Sequence, residues 1–223
     1  ILVGAVIVGG IKRIGQTTEK IVPFMVVLYV LASLFVIFTN IDKLPGVLSS
    51  ILTQAFYPNA VYGGFIGALV TGIKRAVFSN EGGVGSASIA HSAAKTDEPV
   101  REGIVAMIGP FIDTIVVCFM TASVILITKD ANPLYQVGGG INGAELTSAA
   151  FGSAISWFPY ILSIVVFLFS FSTMISWYYY GDKGWKYLFG SSSIKVYQGM
   201  YLGCVVLGSV ASLGNVIDFS DMM

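Results

Sequence analysis

Apolar residues run through this chain in long blocks, and polar residues gather in short clusters between them. A helix crosses the ~30 Å hydrocarbon core of a bilayer in about 20 residues. Blocks of that order fall at about 21–38, 63–94, 103–127, 155–180 and 196–213, after a shorter one at 1–10. The pattern predicts an all-α integral membrane bundle, a single transmembrane domain over residues 1–223. "IKRIGQTTEK" reads as the first loop. "KTDEPVREG" reads as a loop that also starts a helix: Asp97 and Glu98 place negative charge at the N-terminal end, and Pro99 suits a first turn, where a missing N–H costs nothing. "GVLSSILTQAFYPNA" has Val47, Ile51, Leu52 and Ala55 at helical spacing but is too short to span, which predicts an interfacial helix stopped by Pro58. The segment 138–154 begins with glycines and turns weakly amphipathic, suiting either the mouth of a cavity or the bilayer surface.

The block at 63–94 departs from the pattern. It is too long for one comfortable span, and its middle, "FSNEGGVGSASIAH", holds Asn80, Glu81, His91 and the glycines Gly82, Gly83 and Gly85. Each of these glycines costs a helix about 1 kcal/mol relative to Ala, so the helix is predicted to break at about 78–85. Unpaired backbone groups are tolerated at membrane depth only where protein or a water-filled cavity surrounds them. A break there exposes N–H groups at one half-helix start and C=O groups at the other half-helix end, a site for an anion, a cation or a zwitterion.

Composition makes the membrane reading firm. The chain is 55% hydrophobic and 11% charged, with a mean hydropathy of +0.82, against roughly 25% charged residues in soluble domains. Twelve Lys+Arg balance twelve Asp+Glu, so nothing suggests a nucleic-acid partner. Cys118 and Cys204 lie in apolar runs and read as small buried hydrophobes rather than as a disulfide or metal pair. The chain starts inside an apolar run and ends on "IDFSDMM", so further spans are expected on both sides. Charge position sets sidedness. Lys12, Arg13, Lys20, Lys95, Arg101, Lys183, Lys186 and Lys195 fall in alternate loops, with only Lys43 and Lys129 in the others. The first set is therefore placed in the cytoplasm and the second outside.

Ionisable residues at membrane depth point to function, and here they are Lys74, Arg75, Glu81 and Asp113. At least one of the two bases is expected to pair with Glu81 or Asp113. Ser86, Ser88 and His91 offer a hydroxyl and a base, the basis of an alternative reading as a membrane-embedded enzyme, but small residues at close spacing are also what helix packing in membranes requires. A channel or structural membrane subunit is a third reading. Gly83-x-Gly85 lacks the third glycine of a dinucleotide fingerprint, and "GSASIAH" is not a nucleophile elbow. No Cys/His cluster has metal-ligand spacing, and no cofactor is expected. In "FSFSTMISWYYYGDKGW", Ser170, Ser172, Thr173 and Ser176 put hydroxyls on an apolar helix, with Thr173 and Trp177 one turn apart. Those hydroxyls either bond the preceding turn of their own helix or serve a hard cation. Tyr178 to Tyr180 and Trp185 read as an aromatic belt at the inner interface.

"GIKRAVFSNEGGVGSASIAHSAAKTDEPVREG", followed by "GPFIDTIVVCFMTA" and "FSTMISWYYYGDK", closely resembles the alanine/glycine:cation symporters, also called sodium:alanine symporters. The resemblance covers essentially the whole chain. It implies the leucine-transporter-like fold of two inverted five-helix repeats, with the first block as helix 4, the five longer blocks as helices 5 to 9 and the broken block as helix 6. It implies symport of a small amino acid, alanine or glycine, with Na+ or in some members H+, in a multi-pass protein of the cell membrane. Phe78, Ser79, Asn80, Glu81, Gly82 and Gly83 then fall where helix 6 contacts substrate, with Phe78 capping the site and the glycines admitting close backbone approach. Thr173 and Trp177 match lining positions, Trp177 limiting side-chain size, and Ser172 and Thr173 match a place where related transporters supply hydroxyls to sodium. Family members commonly read "NEAG" where this chain has "NEGG". Helix 1, the other half of the site, and helices 2, 3, 10 and 11 are expected as partners from the same transporter, without which these residues are not expected to transport.

Overall fold

A computed structural model describes residues 1–55, 65–81, 84–132, 135, 143–212, 214–216 and 219, with nothing described of the Ala55, Phe65, Ala68, Thr71 and Phe78 side chains within them. The described elements are helical: α1 (Leu2–Ile7), α2 (Gly10–Thr39), α3 (Leu44–Ala55), α4 (Phe65–Ser79), α5 (Ser86–His91), α6 (Pro99–Pro110), a π-helical segment (Phe111–Cys118), α7 (Phe119–Ile127), α8 (Ala144–Ala154), α9 (Phe158–Phe189), a 3₁₀ turn (Ser191–Ser193) and α10 (Ile194–Val210). Among the described residues, three continuous helical stretches, Gly10–Thr39, Pro99–Ile127 and Phe158–Phe189, are long and apolar enough to cross a membrane. The shortest has 29 residues, or about 44 Å at ~1.5 Å per residue, so each outruns the hydrocarbon core. The chain is thus an all-α, multi-pass membrane protein with one interrupted helix.

The helices divide into two compact units, residues 25–166 and residues 1–24 with 167–223. Within the first, α2 is apolar on opposite faces. Met25, Tyr29 and Val36 are buried, while Val27, Leu31, Phe35 and Phe38 form an exposed stripe at helical spacing. A helix apolar all round belongs in a protein core or a membrane. The buried face of α2 meets α7 and α8: the Tyr29 hydroxyl lies 2.5 Å from Thr121 Oγ1, and the ring of Phe151 sits 5.6 Å from Tyr29 and 4.9 Å from Phe158. Met120, Ser123, Val124 and Ile127 make the buried face of α7, against which α3 and α8 pack.

In the second unit α1 packs on α10, with Gly4 against Leu202. The C-terminal half of α9 is tied to α10 by rings and hydroxyls. Tyr178 stacks on Tyr197 at 5.5 Å and meets Tyr201 edge-on at 5.4 Å. Gln198 Nε2 donates to the Tyr178 hydroxyl at 3.1 Å, and the Tyr201 hydroxyl donates to the Met174 carbonyl at 2.5 Å. Tyr178 and Tyr179 are buried, so this part of the expected aromatic belt is instead a packed seam between two helices.

Two polar stretches read as loops are helical. "IKRIGQTTEK" lies inside α2, where the Thr17 and Thr18 hydroxyls donate to the Arg13 and Ile14 carbonyls one turn back. "GDKGWK" lies inside α9, closed by a 2.7 Å Asp182–Lys186 pair spaced four apart. Hydropathy marks where a helix leaves hydrocarbon, not where its hydrogen bonding stops.

Candidate functional site

The interrupted helix is built from both sides of its break. The Asn80 N–H closes the last turn of α4 onto the Ala76 carbonyl at 2.8 Å. Glu81 then turns to φ +52°, a left-handed conformation that costs a side-chain-bearing residue roughly 1–2 kcal/mol. Gly82 and Gly83, both expected at the site, lie outside the described residues. Gly85, at φ +86°, leads into α5, and a left-handed conformation at that point carries no penalty for glycine. The break expected at about 78–85 thus falls between Ser79 and Ser86.

A second irregular segment faces it. Pro110 has no N–H to give the preceding turn, and its ring crowds the carbonyl four residues back. The backbone widens into a π-helix from Phe111 to Cys118 directly after it. That segment carries Asp113 and Thr114. The Ser79 hydroxyl donates to the Asp113 carboxylate, and the Thr114 hydroxyl donates to Asn80 Oδ1 at 3.1 Å. Two adjacent residues at the end of α4 are thereby bonded to two adjacent residues of the π-helix. With its carbonyl oxygen engaged, Asn80 keeps its amide N–H groups as donors. The side chains of Asn80, Glu81 and Asp113 are half-buried and that of Ser79 is exposed. Donors, carboxylates and the C-terminal carbonyls of α4 therefore share a few residues of backbone, a set able to hold an ammonium and a carboxylate together.

Below the break, α5 and α6 are linked by a 2.7 Å contact between His91 Nδ1 and Glu102 Oε1. They flank a cavity of about 550 Å³ lined by Ser88, His91, Ser92, Thr96 and Glu102, among others. The Ser88 hydroxyl donates to the Gly85 carbonyl at 2.6 Å, and Ser86 Oγ is buried without a hydrogen-bond partner among the described residues. Neither serine is bonded to His91, and the nucleophile–base pairing of the enzyme reading is not formed.

Lys74 and Arg75 are exposed on α4. Ser172, Thr173 and Trp177 lie on the part of α9 that belongs to the other unit. Ser172 is buried and donates to the Phe169 carbonyl at 2.9 Å, which leaves oxygen lone pairs for a cation. Thr173 is exposed, and Trp177 packs edge-on against Tyr180 at 5.7 Å.

Sequence reading missed Thr114 as the partner of Asn80 and Glu102 as the partner of His91. A proline followed by Asp-Thr inside an apolar run was the available signal for Thr114. Glu102 gave none, because it resembles any first-turn acid.

Comparison with known proteins decides the family. All of residues 1–223 match the sodium:alanine symporter family. The chain belongs to that family. It is 42% identical over 226 residues to the sodium/alanine symporter AgcS of Methanococcus maripaludis, covering 100% of this chain and 49% of that protein. It is 41% identical over 222 residues to the probable sodium/glutamine symporter GlnT of Bacillus subtilis, with 98% and 45% covered. An uncharacterized transporter of Haemophilus influenzae is 40% identical over 230 residues, with 100% and 49% covered. The chain thus spans about half the length of the curated relatives it matches. That family is one of membrane transporters.

Proposed function

We propose that this chain supplies the central helices of a secondary transporter in the cell membrane, which carries a small neutral amino acid together with Na+ or H+ by alternating access. The observation that carries the reading is the helix break held against the π-helix by Ser79–Asp113 and Asn80–Thr114. The family membership supports a symporter, and the names of the relatives support an amino-acid substrate with sodium as the coupling ion. Phe78, Ser79, Asn80, Glu81, Gly82 and Gly83 are the proposed substrate contacts, with the glycines letting backbone approach the ligand. Thr173 and Trp177 are proposed as further lining residues, and Ser172 and Thr173 as hydroxyl donors to sodium. Lys74 and Arg75 with Glu81 and Asp113 are proposed as a charge network, in which Asp113 is already engaged by Ser79.

In the proposed arrangement the fold is part of a leucine-transporter-like inverted repeat. The spans at about 1–10, 21–38, 63–94, 103–127, 155–180 and 196–213 correspond to helices 4 to 9, and helices 1 to 3, 10 and 11 complete the transporter.

Alanine is the first substrate to try, followed by glycine and glutamine. Equilibrium binding of radiolabelled alanine to the purified full-length protein tests the proposal. Asn80→Ala and Asp113→Asn are each expected to weaken binding by about tenfold, the scale of one lost hydrogen bond or charge contact. Unchanged binding in both variants would remove the break from the substrate site.

A further inference from the structure

The positive-inside count leaves only two lysines, Lys43 and Lys129, in the outer loops. They are 86 positions apart in sequence, yet they line the same cavity of about 330 Å³, between the N-terminal turns of α3 and the C-terminal end of α7. Val47, Ser50, Ile127 and Asp130 also line it. Lys43 precedes α3 and Lys129 follows α7, so both lysines stand at helix ends. Among the described residues neither lysine side chain has a hydrogen bond or an ion pair. With Asp130 in the lining, the cavity carries a formal charge of +1, which one phosphodiester anion neutralises.

The setting favours a lipid over a soluble phosphate. Val47 turns the buried side of α3 toward α7, while Leu48, Ile51 and Leu52 remain 36, 38 and 64% exposed. Those residues follow Lys43 by five, eight and nine positions along the chain and present an apolar surface on α3, the arrangement an interfacial helix offers to acyl chains. We infer that Lys43 and Lys129 form a binding site for the phosphate of an outer-leaflet glycerophospholipid headgroup, with acyl chain lying along α3. The site is independent of the substrate break, and its failure would leave the transport reading untouched.

Native mass spectrometry of the detergent-solubilised full-length protein tests this, with dioleoylphosphatidylethanolamine as probe and dioleoylglycerol, which lacks the phosphate, as comparison. Retention of the phospholipid is expected to fall about tenfold in Lys43→Gln/Lys129→Gln. It should survive in Lys43→Arg/Lys129→Arg, which keeps the charge, and in Lys12→Gln/Lys20→Gln, which removes the same charge elsewhere. Equal retention in the Lys43→Gln/Lys129→Gln variant, equal retention of dioleoylglycerol, or displacement of the lipid by millimolar inorganic phosphate would each overturn the lipid site.

Discussion

Glu81 is where residue chemistry and backbone conformation meet. A left-handed φ on a residue with a long side chain persists only if its surroundings hold it. Here the preceding residues, Ser79 and Asn80, are held by Asp113 and Thr114 of another helix. The same bonds hold the Asn80 side chain and the Asp113 carboxylate as a fixed polar pair, and pre-organisation of this kind lowers the entropy cost of holding a small ligand. On α9, Trp177 is 36% exposed and rests on Tyr180. Its replacement removes bulk without opening a buried core. Trp177→Ala is expected to let a larger amino acid compete for uptake, and Thr173→Ala to raise the Na+ concentration needed for half-maximal uptake by severalfold. Competition and Na+ titration in proteoliposomes measure both. An unchanged substrate profile together with unchanged Na+ activation would take these two residues out of the transport pathway.

At the scale of the element, Pro110 has the larger consequence. An interior proline costs a helix about 3 kcal/mol relative to Ala, and here the cost coincides with the π-helix that directs Asp113 and Thr114 at the break. Pro110→Ala is expected to favour a regular α-helix, raising the thermal midpoint of the full-length protein while lowering alanine uptake at least tenfold. A variant with wild-type uptake would show that the π-helix has no part in the function. In α9, a Cβ on Gly181 would collide with the Tyr197 hydroxyl. Gly181→Ala should therefore destabilise the protein by about 1–3 kcal/mol, the usual cost of overpacking. Tyr197→Phe in the same chain should recover part of that loss, and scanning calorimetry reads the difference.

Which features the sequence predicts depends on which forces are local. The interruption near 78–85 was readable because glycine and polar residues act within their own segment. Pro99 opening α6 was readable for the same reason. The helical state of "IKRIGQTTEK" was not, since a polar helix end and a polar loop have the same hydropathy and differ only in backbone bonds. The π-helix was missed although Pro110 stood in the middle of an apolar run. Proline predicts a disturbance and leaves its form to the packing around it. The tyrosine seam of α9 and α10 was misread as a belt because an aromatic residue suits both an interface and a buried contact.

At the scale of the whole molecule, three long apolar helices and one broken helix require a bilayer around them. Outward stripes such as Leu31, Phe35 and Phe38 on α2, and Ile104, Ile108 and Phe111 along α6 into the π-helix, would otherwise present large apolar surfaces to water. An interruption in such a setting is tolerated where protein or a water-filled cavity surrounds it, and the polar set around Asn80 and Asp113 suits a zwitterion. We propose that the full-length protein is an ion-coupled amino-acid symporter. The most direct measurement is uptake of radiolabelled alanine into proteoliposomes, with inward Na+ and H+ gradients imposed and removed separately. Accumulation above the external concentration is expected with at least one of the gradients and none when both are collapsed. Accumulation that persists without either gradient would rule out ion-coupled symport.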